Sequence, residues 1–415
     1  MRAVGAAFAA VPTSSPQYPL VDVTSCERDS YCIGYRTGAA LGTMIRSRLA
    51  AAPYMRDYRT FYHSDEGRRF VSKLAAANYA WAPHLELELN GLADGARASP
   101  VDMLMLNLRT ELGLRLRNKT DASGAQAERL QAAAGRQLVD SCTDLLLANP
   151  PAMAHNEDNA RDTVTHAYWV VGRIAHAPTN TSDHTRWTAF TYAGELPTGA
   201  FGVSDAGYGF STNAEFPTRV DPAGLARTFV LRSMLDAASA ADARRTVIET
   251  APRLAGGYNV NIIEAASGAG GGGESDTPEP RIWTIEAAGG QPADARTVSA
   301  SAGPNYFHAN EYLRLRVSQY GDPSSSHRMG VYLERYANAS TLAAAREFLG
   351  DTSDPAYPIY RDGKPPDEGC TLNTACFDPA AGKLTVLRGN PRLGNVSRVF
   401  ALRRAAWVSP ATAAY

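Results

Sequence analysis

The order of predicted elements indicates an α+β fold in which β-sheets are sandwiched between helices. The first third of the sequence carries apolar residues at the spacing typical of α-helices. After Cys142 the pattern changes to alternation with period two and to short apolar runs, both typical of strands. Two helical stretches interrupt these strands and two more precede the last strand pair. Strands, then helices, then strands again favour a layered domain, because each element needs a surface against which to bury its apolar face.

Four helical segments are predicted before Cys142. The first contains Gly34, Gly38 and Gly42 at helical spacing, and such small residues allow a helix to pack closely against its neighbour. Pro100, at the first turn of the last of these segments, is typical of a helix start. The four segments are 34–46, 70–82, 85–96 and 101–116.

The remaining sequence predicts eight strands and four more helices. The strands are 144–148, 166–172, 187–192, 208–213, 258–264, 281–286, 371–378 and 383–389, and the helices are 225–235, 239–249, 328–336 and 341–348. The segment 118–137, rich in Ala and Gln, is predicted to be an exposed connection. The Gly-rich segment 267–280 opens no helix and lacks the Lys-Ser/Thr pair of a phosphate-binding loop, so it is predicted to be a flexible insertion.

Composition excludes several partners. The 415 residues carry a formal net charge of −1 with neither sign in long blocks, so neither nucleic acid nor an anionic membrane surface is expected as the main partner. No apolar run approaches the ~20 residues that span a bilayer, and the first ten residues do not match a signal peptide. We therefore expect a soluble, cytoplasmic protein.

The five cysteines are too few and too widely spaced to predict a disulfide scaffold in a chain of this size. A reducing compartment is the simpler expectation. Cys370 and Cys376 lack partner ligands for a zinc site, and they are interpreted as structural thiols, as are Cys26 and Cys32.

The stretch 139–147, with 155–158 shortly after it, concentrates a thiol, a hydroxyl and several carboxylates. A thiol attacks a carbonyl group as the thiolate, so a catalytic Cys142 would need a base beside it. His155 and His166 lie downstream, but each falls in strand-like sequence, where an ordinary packed or exposed histidine is more frequent than a Cys–His dyad. A free α-amino group, with a pKa of ~8, could instead act as the base if the chain were cut before Cys142.

Ordinary structural roles compete with each candidate. Cys142 taken alone would more often be a small buried residue, and Asp158 could form a turn or cap a helix. Asn259 and Asn261 could satisfy backbone groups at a strand edge. Arg328 falls at the start of a predicted helix, where the helix dipole disfavours a cation, and this indicates another role for it.

Ten short motifs occur in a characteristic order along the sequence. They are ELNGLADGA (88–96), LMLNLRTE (104–111), SCT (141–143), HNED (155–158), GYGFSTN (207–213), GYNVN (257–261), HAN (308–310), SSHR (325–328), TLN (371–373) and GNP (389–391). In this order and spacing the sequence resembles the isopenicillin N acyltransferase-like group of N-terminal-nucleophile (Ntn) hydrolases. Within that group it is most similar to the β-alanyl-dopamine hydrolase branch.

The resemblance implies an αββα sandwich of Ntn-hydrolase type, with two antiparallel sheets between helical layers. It also implies a precursor that cuts itself between Ser141 and Cys142. The products would be a mostly helical N-terminal segment, 1–141, and a catalytic domain, 142–415, that contains the Gly-rich insertion. The two cleaved chains would stay associated with each other. Whether the molecule also forms a homodimer is left open by the sequence.

By the same resemblance, Cys142 is both the self-cleaving residue and the later acyl acceptor. Asp158 corresponds to the family carboxylate that orients the amino group or promotes the N-to-S acyl shift. Arg328 corresponds to an arginine that holds a polar substrate group or orients Asp158.

The resemblance also assigns the oxyanion-hole donor to Asn259 or Asn261, which lie on one face of a strand and cannot be distinguished by sequence. Asn156 and Glu157 flank the site and are predicted to bind substrate. No metal and no cofactor is expected for this chemistry.

The family usually has a glycine before the nucleophilic cysteine, whereas this sequence has Ser141. Glycine allows the twisted backbone that an N-to-S shift needs, so serine disfavours self-cleavage. The predicted function is hydrolysis of small N-acyl amides, with N-β-alanyl amines as the nearest substrates. Two alternatives remain open, which are an acyltransferase that passes the acyl group to an amine, and an unprocessed binding protein that retains the fold.

Overall fold

A computed structural model describes residues 17–120, 142–175, 184–197, 200–265, 280–301 and 303–402. Ser141 and all but the last residue of the predicted insertion 267–280 lie outside these ranges, as does most of the predicted connection 118–137. Among the described residues, the α-helices are α1 Ser30–Ala51, α2 Pro53–Tyr62, α3 Asp65–Trp81, α4 Pro83–Ala96, α5 Pro100–Asn107, α6 Arg109–Thr120, α7 Arg227–Met234, α8 Ala240–Thr250, α9 Pro323–Val331 and α10 Leu342–Leu349.

The strands form two sheets. Their bounds are β1 Leu20–Asp22, β2 Thr143–Ala148, β3 Pro151–Ala160, β4 Ala167–Ala175, β5 His184–Tyr192, β6 Phe201–Ser204, β7 Tyr208–Ala214, β8 Gly257–Glu264, β9 Ile282–Ala288, β10 Asp294–Val298, β11 Tyr306–His308, β12 Gly369–Asp378, β13 Lys383–Leu387 and β14 Val396–Ala401. One sheet has eight strands in the order β1-β4-β5-β6-β7-β8-β9-β10, and the other has six in the order β11-β2-β3-β12-β13-β14. The strand β1 pairs in parallel with β4, so the larger sheet is mixed rather than antiparallel throughout.

Apolar side chains divide the molecule into four layers. Trp169 and Phe190 of the larger sheet pack with Phe377 of the smaller sheet in one buried cluster between the sheets. The helices α1 to α5, α7 and α8 cover the outer face of the larger sheet. Phe348 of α10 covers the outer face of the smaller sheet together with Tyr332. The predicted αββα sandwich is therefore confirmed.

Buried ion pairs tie the N-terminal helices to the part of the chain after Cys142. Arg48 of α1 lies 2.5 Å from Glu195, and Arg232 of α7 lies 2.8 Å from Glu88 of α4. All four side chains are almost fully buried. Removing one partner from such a pair would leave the other charge unpaired in the interior. The part of the chain before Cys142 is thus integrated into the fold.

Close packing of α1 against α4 uses glycines, as the sequence predicts. A Cβ atom added at Gly34 would lie 1.9 Å from the carbonyl oxygen of Glu88, and one added at Gly95 would lie 2.1 Å from that of Tyr35. Both distances are far below van der Waals contact. The two helix backbones therefore approach to a distance that no side chain at these positions permits.

The bounds and number of several predicted elements differ from the structure. In some cases, contacts with distant parts of the chain end or divide an element. The predicted helix 101–116 is divided into α5 and α6 at Leu108. Beside this division, the Asn107 side chain donates to the carbonyl of Gly194 and accepts from the amide of Leu196. The helix α2 and the strands β1, β3, β6, β10, β11 and β14 are absent from the predicted elements. Apart from α2 and β3, these segments have six residues or fewer, and such short segments carry little periodicity.

Cys26 and Cys32 form a disulfide, so their interpretation as thiols is wrong. A 3₁₀ turn, Thr24–Cys26, leads directly into α1 and brings the two Cα atoms to 5.5 Å, within the range for a disulfide. The count of five cysteines argued only against a scaffold of several bridges, not against one local pair. The cysteine-based reason for expecting a reducing compartment is therefore removed. Among the described helices, none has both the length and the apolar character needed to cross a membrane.

The helix contact yields a stability prediction. Gly95→Ala should lower the free energy of unfolding by about 1–3 kcal/mol, the usual cost of overpacking, because the new methyl group would overlap the carbonyl of Tyr35. Urea unfolding followed by circular dichroism measures the change.

Gly330→Ala is the matched control. Gly330 lies in α9 with no atom within 4 Å of an added Cβ, so alanine there should be neutral or stabilise by up to about 1 kcal/mol. Equal effects of both substitutions would contradict the close contact between α1 and α4.

Candidate active site

Cys142 lies directly before β2, a strand in the interior of the smaller sheet, and its side chain is 2% exposed. Its Sγ lies 3.6 Å from Oε2 of Glu157. The Arg328 guanidinium donates through Nη1 to the Cys142 carbonyl oxygen and to the Thr143 hydroxyl, each at 2.7 Å. The thiol therefore faces a carboxylate, while the backbone on its C-terminal side is held by a cation.

Glu157 is positioned by β3, which pairs antiparallel with β2. The Tyr192 hydroxyl donates to Glu157 Oε1, and the Nε2 atom of His155 lies 3.0 Å from Oε2. Alternate residues of a strand share a face, so His155 and Glu157 both point between the two sheets. The carboxylate that faces the Cys142 thiol is thus held from two sides.

His155 links Glu157 to a second carboxylate. Its Nδ1 atom lies 3.0 Å from Oδ2 of Asp144, the residue paired with it on β2. Burial opposes a charge on the imidazole, but Asp144 and Glu157 outweigh it and raise the pKa of His155 to about 10. Burial likewise acts to raise the pKa of Asp144, yet His155 and hydrogen bonds from Ser211 and Asn213 hold it below its ordinary value. An imidazolium between two carboxylates is the result.

The larger sheet supplies the other partners of Asp144. Ser211 donates to its Oδ1 at 2.6 Å, and Asn213 donates to its Oδ2 at 2.7 Å. Asn259 and Asn261 continue the network, since their Nδ2 atoms donate to Asn213 at 2.9 and 3.4 Å, and that of Asn259 also reaches Asn261 at 3.1 Å. Both predicted oxyanion-hole candidates therefore share one inward face of β8.

Asp158 lies on the opposite face of β3 from Glu157. Its Oδ1 accepts from the Thr371 hydroxyl at 2.6 Å, while its Oδ2 has no hydrogen-bond partner within the described ranges. Burial raises the pKa of Asp158 to about 7, and the positive charges of Arg361 and Arg328 only partly oppose this. Arg328 thus acts on Asp158 through its charge, whereas it donates directly to the Cys142 carbonyl oxygen. That Arg328 orients Asp158, and that Asp158 acts toward the amino group, both stay predictions.

Arg328 does not lie at a helix start, so that part of its interpretation is wrong. The helix begins earlier, at Pro323, and Arg328 falls in the last turn of α9, where the helix dipole favours a cation. Its Nη2 atom donates at 3.1 Å to both the Asn310 side chain and the Ser325 hydroxyl. The buried guanidinium is therefore rigidly held beside the backbone of Cys142.

Asn156 faces the outer helical layer. Its amide nitrogen donates to the carbonyl oxygens of Leu349 and Ile359, at 2.8 and 3.2 Å, and its oxygen accepts from the Thr374 hydroxyl. These bonds attach β3 to the segment after α10. Substrate binding by Asn156 stays a prediction.

Five residues of this network were not predicted as site residues, namely Asp144, His155, Tyr192, Ser211 and Asn213. The strand pattern contained a signal for three of them, because Asp144 shares the strand face of Cys142, and Ser211 and Asn213 alternate inward within a family motif. Cys142, His155 and Glu157 each offer one atom with metal-ligand chemistry, and these atoms lie within 4.8 Å of one another. The paired His155 imidazolium uses both ring nitrogens on carboxylates, so in this state it offers no lone pair to a metal ion.

The charge on His155 can be measured by NMR. Its imidazole should remain protonated through neutral pH and titrate near pH 10. A raised folded-state pKa means that this pairing stabilises the fold fully below the unfolded pKa of ~6.5 and that its contribution is lost as the pH rises toward 10.

His166 serves as the internal control, because burial lowers its pKa below the ordinary value. It should lose its proton at lower pH than His155 in the same sample. Titration of His155 at or below pH 6.5 would contradict the paired imidazolium.

Known proteins are similar to this chain to different degrees. The β-alanyl-dopamine/carcinine hydrolase of Drosophila melanogaster is 23% identical over 392 residues, which cover 91% of this chain and 95% of that protein. Crystal structures of two variants of the conjugated bile acid hydrolase from Clostridium perfringens match 63% of this chain and 96% and 98% of theirs, at 10% identity and TM-scores of 0.34 and 0.35. Because both scores are low, we draw nothing further from that likeness.

A match to a family profile identifies the family of this chain. The profile of the acyl-coenzyme A:6-aminopenicillanic acid acyl-transferase family matches residues 147–393, which is more than half of the chain. The matched segment begins after Cys142, so the role of that residue rests on the geometry above. The family resemblance inferred from the motifs is confirmed, and the chain belongs to the acyl-coenzyme A:6-aminopenicillanic acid acyl-transferase family, whose members are enzymes acting on C–N amide bonds.

Proposed function

We propose that this protein cuts its own chain between Ser141 and Cys142 and then uses Cys142 to hydrolyse small N-acyl amides. The observation that carries the proposal is the position of the Cys142 thiol, 3.6 Å from the Glu157 carboxylate and directly before a central strand. Glu157 was expected to bind substrate, but its place beside the thiol suits it better to accept a proton.

Self-cleavage needs a base before any free α-amino group exists. The Glu157 carboxylate receives the thiol proton, and the thiolate attacks the carbonyl carbon of Ser141. The peptide C–N bond breaks, a thioester forms, and the Cys142 nitrogen takes up a proton. Water then hydrolyses the thioester, which leaves a carboxylate on Ser141 and a free amino group on Cys142.

Substrate turnover repeats this chemistry on another amide. The α-amino group, with an unperturbed pKa of ~8, takes the thiol proton and later gives it to the departing amine. Asn259 or Asn261, with a backbone N–H, stabilises the oxyanion, and water releases the acyl group from Cys142. Arg328 keeps the backbone of Cys142 in place during both reactions.

The substrate class follows from the relative of known activity. The Drosophila melanogaster protein is named for β-alanyl-dopamine and carcinine, and the match to it covers nearly the full length of both chains. We therefore propose small N-β-alanyl amines as substrates. The family name specifies acyl transfer, which favours transfer to an amine as the second candidate.

Self-cleavage is tested with Cys142→Ala. The wild-type chain should separate into two fragments with Cys142 at the new N-terminus, whereas the variant should stay whole because it lacks the attacking thiol. Intact mass spectrometry and N-terminal sequencing measure this outcome.

Cys376→Ala is the matched control, since Cys376 is also a buried free thiol but packs in the apolar cluster outside the smaller sheet. It should cleave like wild type. A wild-type chain that stays whole would reject maturation before Cys142 and favour the unprocessed binding protein. Cleavage of Cys142→Ala at the same bond would remove Cys142 as the nucleophile.

Hydrolysis and acyl transfer are distinguished by their products. With an N-β-alanyl amine as substrate, the cleaved protein should release β-alanine and the free amine in equal amounts. Mass spectrometry in the presence of a second primary amine shows whether a new amide forms. A new amide in place of β-alanine would establish the acyltransferase alternative.

A further inference from the structure

Glu215 directly follows β7 and is completely buried. Ala214 and Phe216 on either side of it pack outward against Leu114. Because neighbouring residues of an extended chain point to opposite faces, the Glu215 side chain points between the sheets, on the same face as Asn213.

The carboxylate of Glu215 lacks the partners that a buried charge requires. Neither of its oxygens has a hydrogen-bond partner among the described residues. His308 Nδ1 lies 3.6 Å from Oε1, but this nitrogen donates to the carbonyl oxygen of Ala309 at 2.9 Å. An unpaired buried carboxylate is costly, so its retention needs an explanation.

Nearby Glu286 provides a contrast. Its oxygens accept from the backbone amides of Leu313, Arg314 and Leu315, and His308 Nε2 lies 3.2 Å away. Burial would raise the pKa of Glu286, but the His308 contact and these amides lower it to about 2. The Glu286 carboxylate thus accepts several hydrogen bonds, whereas the Glu215 carboxylate accepts none from the described residues.

The electrostatic surroundings of Glu215 favour a cation. Burial raises its pKa well above the ordinary value, and the negative charges of Glu286, Glu311 and Asp322 add to this effect, opposed by Arg227. A positive group placed against Glu215 would relieve both the desolvation and the repulsion. His308 lies at ion-pair distance but makes no hydrogen bond to Glu215, so the unmet need is for a cationic group that donates a hydrogen bond.

Two hydrogen-bonded paths place Glu215 near the nucleophile. The first path starts at Asn213, which lies two residues before Glu215 and donates to Asp144. Asp144 in turn lies two residues after Cys142. The Asn310 side chain donates to the carbonyl of Ala214 and accepts from Arg328, which in turn holds the carbonyl of Cys142. Glu215 and Cys142 therefore belong to the same end of the sandwich.

We propose that Glu215 binds the ammonium group of an aminoacyl substrate while Cys142 attacks the carbonyl group of the same acyl chain. This inference rests on the proposed function and specifies its substrate class, which is amides whose acyl part ends in a primary ammonium group. Glu215 is then the residue that selects charged over neutral acyl groups.

The test compares two amides of one amine that differ only at the end of the acyl chain. The N-β-alanyl amide carries an ammonium group where the N-butanoyl amide carries a methyl group. Wild-type protein should prefer the charged substrate by about 100-fold in kcat/KM, as for a buried charge pair. Glu215→Gln should reduce this ratio to near one.

Glu264→Gln is the control for net charge, because Glu264 lies at the opposite end of β8 from Asn259. It should leave the ratio between the two substrates as in wild type. Equal loss of both activities in Glu215→Gln would show a structural role and overturn the proposal.

Glu215→Asp is a second variant, which retains the negative charge and is used if Glu215→Gln does not fold. It shortens the carboxylate arm by one methylene, so it should shift the preference from β-alanyl toward the longer γ-aminobutanoyl amide. An unchanged preference for β-alanyl would contradict direct contact with the ammonium group.

Calorimetric titration of the cleaved protein with β-alaninamide and butanamide separates this inference from the proposed function. Binding of β-alaninamide that depends on Glu215, without hydrolysis of either amide, would support the ammonium site and reject the hydrolase. Equal hydrolysis of both amides would support the hydrolase and reject the ammonium site. Neither binding nor hydrolysis would reject both.

Discussion

The pairing of the His155 imidazolium with two buried carboxylates is the interaction on which the centre of this structure depends. Asp144 and Glu157 lie on adjacent strands and would repel each other in an interior that screens charge poorly. His155 neutralises both, at 3.0 Å from each. Without that cation, two like charges would face each other in the interior beside the Cys142 thiol.

The same pairing joins the two sheets. Hydrogen bonds from Ser211 and Asn213 of the larger sheet end on Asp144 of the smaller sheet. Elsewhere the sheets meet through apolar side chains, and apolar side chains here would often stabilise the fold as well or better. A polar layer at one end of an otherwise apolar sandwich is therefore better explained by chemistry than by stability.

The groups that contact Cys142 lie on two different faces of the smaller sheet. Arg328 lies on its outer side and holds the backbone of Cys142, while Glu157 lies on its inner side and faces the thiol. In the proposed reactions, separate groups thus hold the backbone of Cys142 and accept its proton. Glu215 also lies on the inner side, where its carboxylate lacks a hydrogen-bond partner among the described residues.

The amino-acid sequence by itself determined the layered fold and the family, because strand and helix periodicity and ordered motifs are local properties of the chain. It also predicted Cys142 as the nucleophile. It could not show that Glu157 rather than His155 faces the thiol, or that Asp144 receives bonds from residues almost 70 positions away. Those contacts depend on the register of paired strands and on how two sheets face each other. The same holds for the local disulfide and for Glu215, whose carboxylate has no hydrogen bond within the described part of the chain, because bonding partners are decided by distances in three dimensions.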